Sequence, residues 1–299
     1  MQEKQLKKTS IITVANQKGG VGKTTTVINL ASTYASSGKK VLVIDLDVQC
    51  NATTSLGVEK PSSSEPSVAS AIKKRETFDK AIYSTEFGID LVAGSRDLDN
   101  LVPFLIGTTR KFKLIEQLLD TKELDKYDIV LIDTHPSLDM YFQSAMAASH
   151  YYLVPLFAEA FSVSGLVEQI NAIEDIRNDL NKMLTSLGVV ICNFIARDSV
   201  HIEFEKIIRA LGKKAGFNVL KTIIPHSGAV KTSHKKALPL NHYKPQLPVT
   251  MAYTSLGGEI LPQLRGKRIG RRLAPVNTGA LLVKSQLQDS NQLETSLEL

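Results

Sequence analysis

The densest chemical signal in the chain is Asn16-Gln17-Lys18-Gly19-Gly20-Val21-Gly22-Lys23-Thr24-Thr25, set between an apolar run and a helix-like segment. Glycines at this spacing let the backbone curl so that several N–H groups converge on one anion. The start of the following helix adds its partial positive charge. Gly19, Gly20, Val21 and Gly22 would then cradle phosphates, Lys23 would reach the β- and γ-phosphates of a nucleotide, and the Thr24 hydroxyl would bind Mg²⁺, with Thr25 beside it. The usual G-x-x-x-x-G-K-[ST] pattern is not met, because position 17 is Gln. Instead a second lysine, Lys18, precedes Lys23. The bland alternative is a glycine turn with solvated lysines, and a strand–loop–helix setting disfavours it.

Such a loop needs carboxylates at the ends of neighbouring strands. Val41-Leu42-Val43-Ile44-Asp45-Leu46-Asp47 delivers two, and Ile129-Val130-Leu131-Ile132-Asp133 delivers one. Ligands bind at that end of parallel strands. A carboxylate after four apolar residues is placed to hold Mg²⁺ through water, which makes Asp133 a metal candidate. Each aspartate alone could equally cap a loop; the three together with the glycine loop point to a nucleotide site.

The elements that must position these residues are legible as an alternation. Apolar runs at Ile11–Ala15, Val41–Ile44, Ile89–Ala93, Ile129–Ile132, Tyr151–Val154, Val189–Cys192 and Thr222–Ile224 read as buried strands. Helix-like segments at Lys23–Ser36, Lys111–Asp120, Leu166–Leu184 and Glu203–Ala215 lie between them, and Gly38 stops the first. Apolar residues at 166, 170, 173, 176 and 180 form one core stripe. The pattern predicts an α/β fold: a doubly wound, mostly parallel sheet flanked by helices. The expected organisation is a tail at 1–9, one domain over 10–265, and a basic then polar, flexible tail at 266–299.

Composition narrows the class. With 43% hydrophobic and 22% charged residues over 299 positions, collagen-like, coiled-coil and wholly disordered chains are excluded. No run is long and apolar enough to span a bilayer, and no secretory leader is evident. Cys50 and Cys192 make neither a metal spacing nor a disulfide framework, so the expected compartment is the cytoplasm. Charge is segregated: residues 200–272 carry 14 Lys/Arg against 3 Asp/Glu. Such a basic third implies a polyanion partner or, equally, a solvated face.

Lys18–Thr25 resembles the deviant Walker A motif of the ParA/MinD family of P-loop ATPases. Asp45-Leu46-Asp47-Val48-Gln49-Cys50-Asn51-Ala52-Thr53 is similar to its D-x-D-P-Q-x-N-A-T segment, and Ile132-Asp133-Thr134-His135-Pro136 to its I-D-T-P-P switch. The likeness spans residues 10–262 and is nearest the ParA branch. It implies ATP and Mg²⁺ as cofactors and slow ATP hydrolysis. It makes Lys18 a residue that reaches the partner's phosphates across a dimer, Asp47 the one that orients water, and Asp45 a support of the Mg²⁺ shell. It sets Asn193 and Pro225 near the adenine. Val48, Cys50, His135, Phe157 and Ala160 depart from the family pattern and bear on switching and hydrolysis rate. His135 reads as a turn residue or a proton shuttle, and Cys50 as a buried filler or a reactive thiol.

The resemblance and the charge together imply a partition ATPase: a homodimer on ATP binding that holds double-stranded DNA without sequence preference, associates with the nucleoid, and is released by a ParB-like adaptor that stimulates hydrolysis. The DNA candidates are Lys206, Arg209, Lys213 and Lys214, then Lys231, Lys235 and Lys236, then Arg265, Lys267, Arg268, Arg271 and Arg272. A MinD-like membrane-surface ATPase is the alternative, weakened by Gly266, Gly270 and the acidic end of the chain. A ParA-like positioner of another cargo shares the same chemistry. An iron–sulfur protein is excluded by the absence of cysteine pairs. With so short a segment before the first strand, operator-specific repression is not expected.

Overall fold

In the computed structural model, residues 9–73, 78–106 and 111–264 are described. The apolar runs become strands β1 (Ser10–Val14), β2 (Val41–Leu46), β3 (Ile82–Ser84), β4 (Ile89–Val92), β5 (Ile129–Thr134), β6 (Tyr151–Phe157), β7 (Thr185–Phe194) and β8 (Val219–Pro225). They form one sheet in the order β3-β4-β2-β5-β1-β6-β7-β8. Every pairing is parallel except β3 with β4. The three-residue edge strand β3, which the sequence reading did not foresee, is too short and too exposed to show a period of two.

The helices are α1 (Lys23–Ser36), α2 (Asn51–Ser55), α3 (Val68–Lys73), α4 (Asp97–Ile106), α5 (Leu114–Leu119), α6 (Met140–Ala148), α7 (Ala160–Asp179), α8 (Ser199–Ala215), α9 (Ala229–Lys235), α10 (Leu240–Tyr243) and α11 (Pro248–Ile260). They form two layers because successive strand residues face opposite ways. In β2, Val41 and Val43 join the core under α1 and α11, whereas Leu42, Ile44 and Leu46 join the core under α3 to α6. In β7, Val190 and Cys192 face the first layer and Val189 and Ile191 face α7 and α8. Fully burying each such side chain stabilises the sheet by about 1.5–3 kcal/mol. The α7 stripe is buried at Leu166, Ile173 and Ile176 but ends at Leu180, which caps the helix and is exposed. Among the described residues, no helix is long and apolar enough to cross a membrane.

The strand order creates the site. β1 lies between β5 and β6, while β2 lies on the far side of β5. The chain therefore changes direction around β1, and the carboxyl ends of β1, β2 and β5 meet in one crevice. Register is level there: Val14 of β1 and Asp45 of β2 both stand opposite Asp133 of β5.

Candidate functional site

The glycine loop leaves β1 through Asn16. Its amide Nδ2 donates to the Pro155 carbonyl at 2.7 Å, and its Oδ1 accepts from the Lys18 N–H at 2.8 Å. One buried side chain thus pins the loop entrance to β6 and turns the chain. Gln169 of α7 adds a second clip, donating from Nε2 to the Ala15 carbonyl at 3.0 Å. Gly20 and Gly22 take φ values of 76° and 89°, a region closed to most side chains, and nothing lies within 4 Å of where a Cβ would stand on either. That open concavity ends at Gly22, the N-cap of α1.

Lys23 is buried at the start of α1, and its Nζ donates to the Lys18 carbonyl at 3.0 Å. Burial pushes its pKa below the usual lysine value, while Asp133 and Asp47 pull it back up. Lys18 stands apart, half exposed, with its ammonium 3.6 Å from the Glu159 carboxylate. The two lysines therefore occupy different environments, one inside the cradle and one at its mouth.

The three aspartates also differ. Asp45 is fully buried, and its Oδ2 accepts from the Thr53 N–H at 2.9 Å and from the Thr53 hydroxyl at 2.7 Å, while its Oδ1 accepts from the Asp47 N–H at 3.1 Å. The Thr53 hydroxyl in turn accepts from the Gly94 N–H at 2.8 Å. Burial pushes the Asp45 carboxyl up to about 6, against the opposing Thr53 hydrogen bonds. Asp133 is equally buried, but neither oxygen has a hydrogen-bond partner among the described residues. Burial raises its pKa well above the usual carboxylate value, and Asp45 adds to the rise. The Thr24 hydroxyl and Lys23 lie near enough to oppose that shift, without a well-aligned hydrogen bond to either oxygen. Asp47 is buried too, and its Oδ1 accepts from the Gln49 N–H at 2.8 Å.

An orphaned carboxylate beside a hydroxyl, a buried lysine and an open glycine cradle is a set of hard oxygen ligands and cations suited to a Mg²⁺-bound phosphate chain. Lys18, Lys23, Thr24, Asp47 and Asp133 are gathered at this one crevice. Asp45 is gathered with them but is committed to Thr53 and Asp47. Among the departures, Cys50 is buried with its thiol pushed up to about 11, which makes it an inert filler. His135 sits half-buried in a turn, its Nδ1 3.3 Å from the Ser137 hydroxyl.

Asn193 and Pro225 sit at the carboxyl ends of β7 and β8, two and three strands from β1. Asn193 holds φ at 58°, and its Oδ1 lies 2.7 Å from His226 Nδ1. The basic candidates divide between layers. Lys206, Lys213 and Lys214 are exposed on α8, and Lys231, Lys235 and the following Lys236 are exposed at α9 on the other side of the sheet. Arg209 is half-buried, paired with Glu205 and donating to the Leu220 carbonyl at 3.2 Å. Arg265, Lys267, Arg268, Arg271 and Arg272 lie outside the described residues.

Sequence reasoning gave no role to three residues that build the site, nor to one histidine beside it. Asn16 carries a signal, a polar residue at a buried strand end. Thr53 carries another, a hydroxyl eight residues after a strand-end aspartate. Gly94 is explained by closeness, since a Cβ there would come within 2.8 Å of the Asp45 carboxyl carbon. His234 carries no signal; it is a lone histidine in a basic stretch, yet it touches the loop helix at Thr25.

The AAA domain family matches residues 9–186. The chromosome partitioning protein ParA of Caulobacter vibrioides is 32% identical over 260 residues, which cover 86% of this chain and 96% of that protein. A putative plasmid partition protein of Borrelia burgdorferi, solved with AMPPNP, superposes with a TM-score of 0.70 at 26% identity, covering 86% of this chain and 100% of that one. Cobyrinic acid a,c-diamide synthase of Mycobacterium smegmatis, solved with an ATP analogue and magnesium, gives a TM-score of 0.75 at 26% identity, covering 91% and 100%. With sequence shared to that extent, and with a second lysine at the mouth of the phosphate cradle, this chain belongs to the ParA/MinD family of P-loop ATPases, on its ParA-like branch.

Proposed function

We propose that this protein is a DNA-partitioning ATPase that works as a nucleotide-controlled dimer. The observation that carries the reading is the separation of the two lysines. Lys23 lies inside the cradle, positioned to neutralise phosphate charge of its own nucleotide. Lys18 is half exposed at the mouth, held by an ion pair with Glu159 that is itself 44% exposed. An exposed pair of that kind stabilises by about 1 kcal/mol or less, so Lys18 can exchange Glu159 for a phosphate presented by a second subunit.

Lys23 and the backbone of Gly19 to Gly22 would hold the β- and γ-phosphates, and the Thr24 hydroxyl and Asp133 would hold Mg²⁺, which would neutralise phosphate charge there. Bound Mg²⁺–ATP supplies the phosphoanhydride bond whose hydrolysis limits the lifetime of the dimer. Asp47 accepts a hydrogen bond from the attacking water, and Asp45 fixes the backbone on which Asp47 sits. Asn193 and Pro225 flank the adenine. Exposed lysines of α8 and α9 then contact DNA phosphates, and a dimer presents twice as many as one subunit. Each neutralised phosphate contributes about −0.9 to the slope of log affinity against log salt, so dimerisation raises affinity and salt sensitivity together. A ParB-like adaptor that stimulates hydrolysis returns the protein from the nucleoid to the cytoplasm.

Light scattering and duplex binding on two unrelated sequences, with and without Mg²⁺–ATP, test this. The wild-type protein should dimerise and bind both duplexes only with ATP. Lys18→Ala should bind ATP and remain a monomer, whereas Lys23→Ala should lose ATP altogether. An ATP dimer of Lys18→Ala refutes the role of Lys18 in trans, and wild-type binding to anionic vesicles in place of DNA would promote the membrane-surface alternative.

A further inference from the structure

One imidazole stands between the phosphate loop and the basic helix α9. His234 Nε2 lies 3.0 Å from the Thr25 hydroxyl, and its Nδ1 lies 2.7 Å from the Ser55 hydroxyl. Thr25 is in the first turn of α1, and Ser55 ends α2, the helix that follows Asp47. His234 itself sits on α9 between Lys231 and Lys235. The attachment of α9 is otherwise light: Ser233 is the one fully buried residue of the helix, and Ala229 and Val230 are half-buried. The His234 bridge is one of the contacts that place α9, beside the packing of Ala229 and Val230 on the core.

Burial holds His234 below the usual imidazole value, so the ring is neutral near pH 7. A neutral imidazole donates at one nitrogen and accepts at the other. Only two arrangements satisfy the bridge. In one, the Thr25 hydroxyl donates to Nε2, and Nδ1–H donates to Ser55. In the other, Nε2–H donates to Thr25, and Ser55 donates to Nδ1. A phosphate oxygen is solely an acceptor, so a phosphate held by Thr25 takes that hydroxyl's single hydrogen. Thr25 can then only accept from His234, which selects the second arrangement. The first would set two lone pairs against each other.

We propose that His234 is a positioning residue that senses phosphate at Thr25 through its tautomer and passes that state to Ser55 and α9. The exchange is balanced: one proton leaves Nδ1 to solvent water and one arrives at Nε2 from it, and the ring stays neutral. Fixing the direction of the Ser55 hydrogen bond at the end of α2 restricts the ring that anchors α9, and with it the positions open to Lys231, Lys235 and Lys236. The α9 consequence rests on the nucleotide-dependent DNA binding proposed above, whereas the tautomer exchange does not.

Two measurements on the full chain test the two parts separately. Nitrogen-15 shifts of the His234 ring, with and without Mg²⁺ and a non-hydrolysable ATP analogue, should show hydrogen shared between Nδ1 and Nε2 without nucleotide and on Nε2 alone with it. The same tautomer balance in both states overturns the proposal. Duplex affinity with and without the analogue, and analogue affinity with and without duplex, must change by one common factor, because coupling between two sites is reciprocal. In the wild type that factor should be about tenfold or more, within the usual range for coupled sites. In His234→Phe, and independently in Ser55→Ala, it should fall to about twofold or less from both directions while the analogue still binds. Coupling retained in both variants overturns the transmission to α9. A wild-type protein whose duplex affinity ignores the analogue overturns the partition reading and the α9 consequence together, and the ring shifts alone then judge the tautomer exchange.

Discussion

The carboxyl ends of β2 and β5 look alike and are built for opposite purposes. Asp45 and Asp133 are the same residue type, at the same level of adjacent strands, both sealed from water. Asp45 receives three hydrogen bonds from its own chain, and its neighbour Gly94 is pared to fit it. Asp133 receives none among the described residues. A buried carboxylate with its partners in place holds structure, whereas one left without them stands ready for an external ligand at a cost to the unliganded fold. The distinction between scaffold and site therefore rests on the partners, not on the aspartates.

The largest expected effect is at β2. Asp45→Ala strands the Thr53 hydroxyl and two buried N–H groups, each costing about 1–3 kcal/mol, so unfolding in urea should show a loss of about 3–5 kcal/mol. If the variant is as stable as the parent, the scaffold role is wrong. At β5 the pattern should reverse. Asp133→Asn should unfold at the same or a higher urea concentration in the absence of nucleotide. Its Mg²⁺-dependent nucleotide affinity should fall by about 10–100-fold, as expected for a carboxylate that acts on a metal through water. Calorimetry with and without Mg²⁺ checks this, and a variant that loses stability but keeps affinity inverts the comparison.

Gly94→Ala sharpens the β2 side alone. A methyl group 2.8 Å from the Asp45 carboxyl must displace it, so a loss of about 1–3 kcal/mol should appear in the melting temperature. The smallest effect is a pH signature where α2 is anchored. Burial keeps the His234 pKa below the usual 6.5. Between those two values the unfolded chain binds a proton that the folded chain does not. Stability is thus complete above about pH 6.5 and declines as pH falls through the window toward the folded value. Unfolding at pH 7.5 and at pH 5.5 should show a drop in the wild type that His234→Phe reduces, because no titrating ring remains. An identical drop in the variant assigns it to other groups.

The phosphate cradle was legible in the sequence because its parts are contiguous and because glycine, lysine and threonine there have few other uses. Seven strands were legible because β-branched runs buried on both faces leave a continuous apolar signal. Asp45 and Asp133 could not be told apart, since Thr53 and Gly94 reach Asp45 only through folding. Arg209, a candidate DNA contact, stands four residues after Glu205, the spacing of a helical ion pair, and the fold forms that pair. Helices α2, α3, α4, α6, α9, α10 and α11 escaped: all but α11 have ten residues or fewer and show little apolar period, and proline and glycine interrupt α11. His234 was invisible because its two partners lie 209 and 179 residues away.

The clip made by Asn16 has a kinetic meaning. Its two hydrogen bonds hold the entrance of the phosphate loop to β6 and to its own turn. Conformational freedom of the backbone is worth about 1–2 kcal/mol per residue, and here the entrance gives it up once, when the chain folds, and not again at each encounter. Capture of a nucleotide then proceeds as docking onto a ready surface.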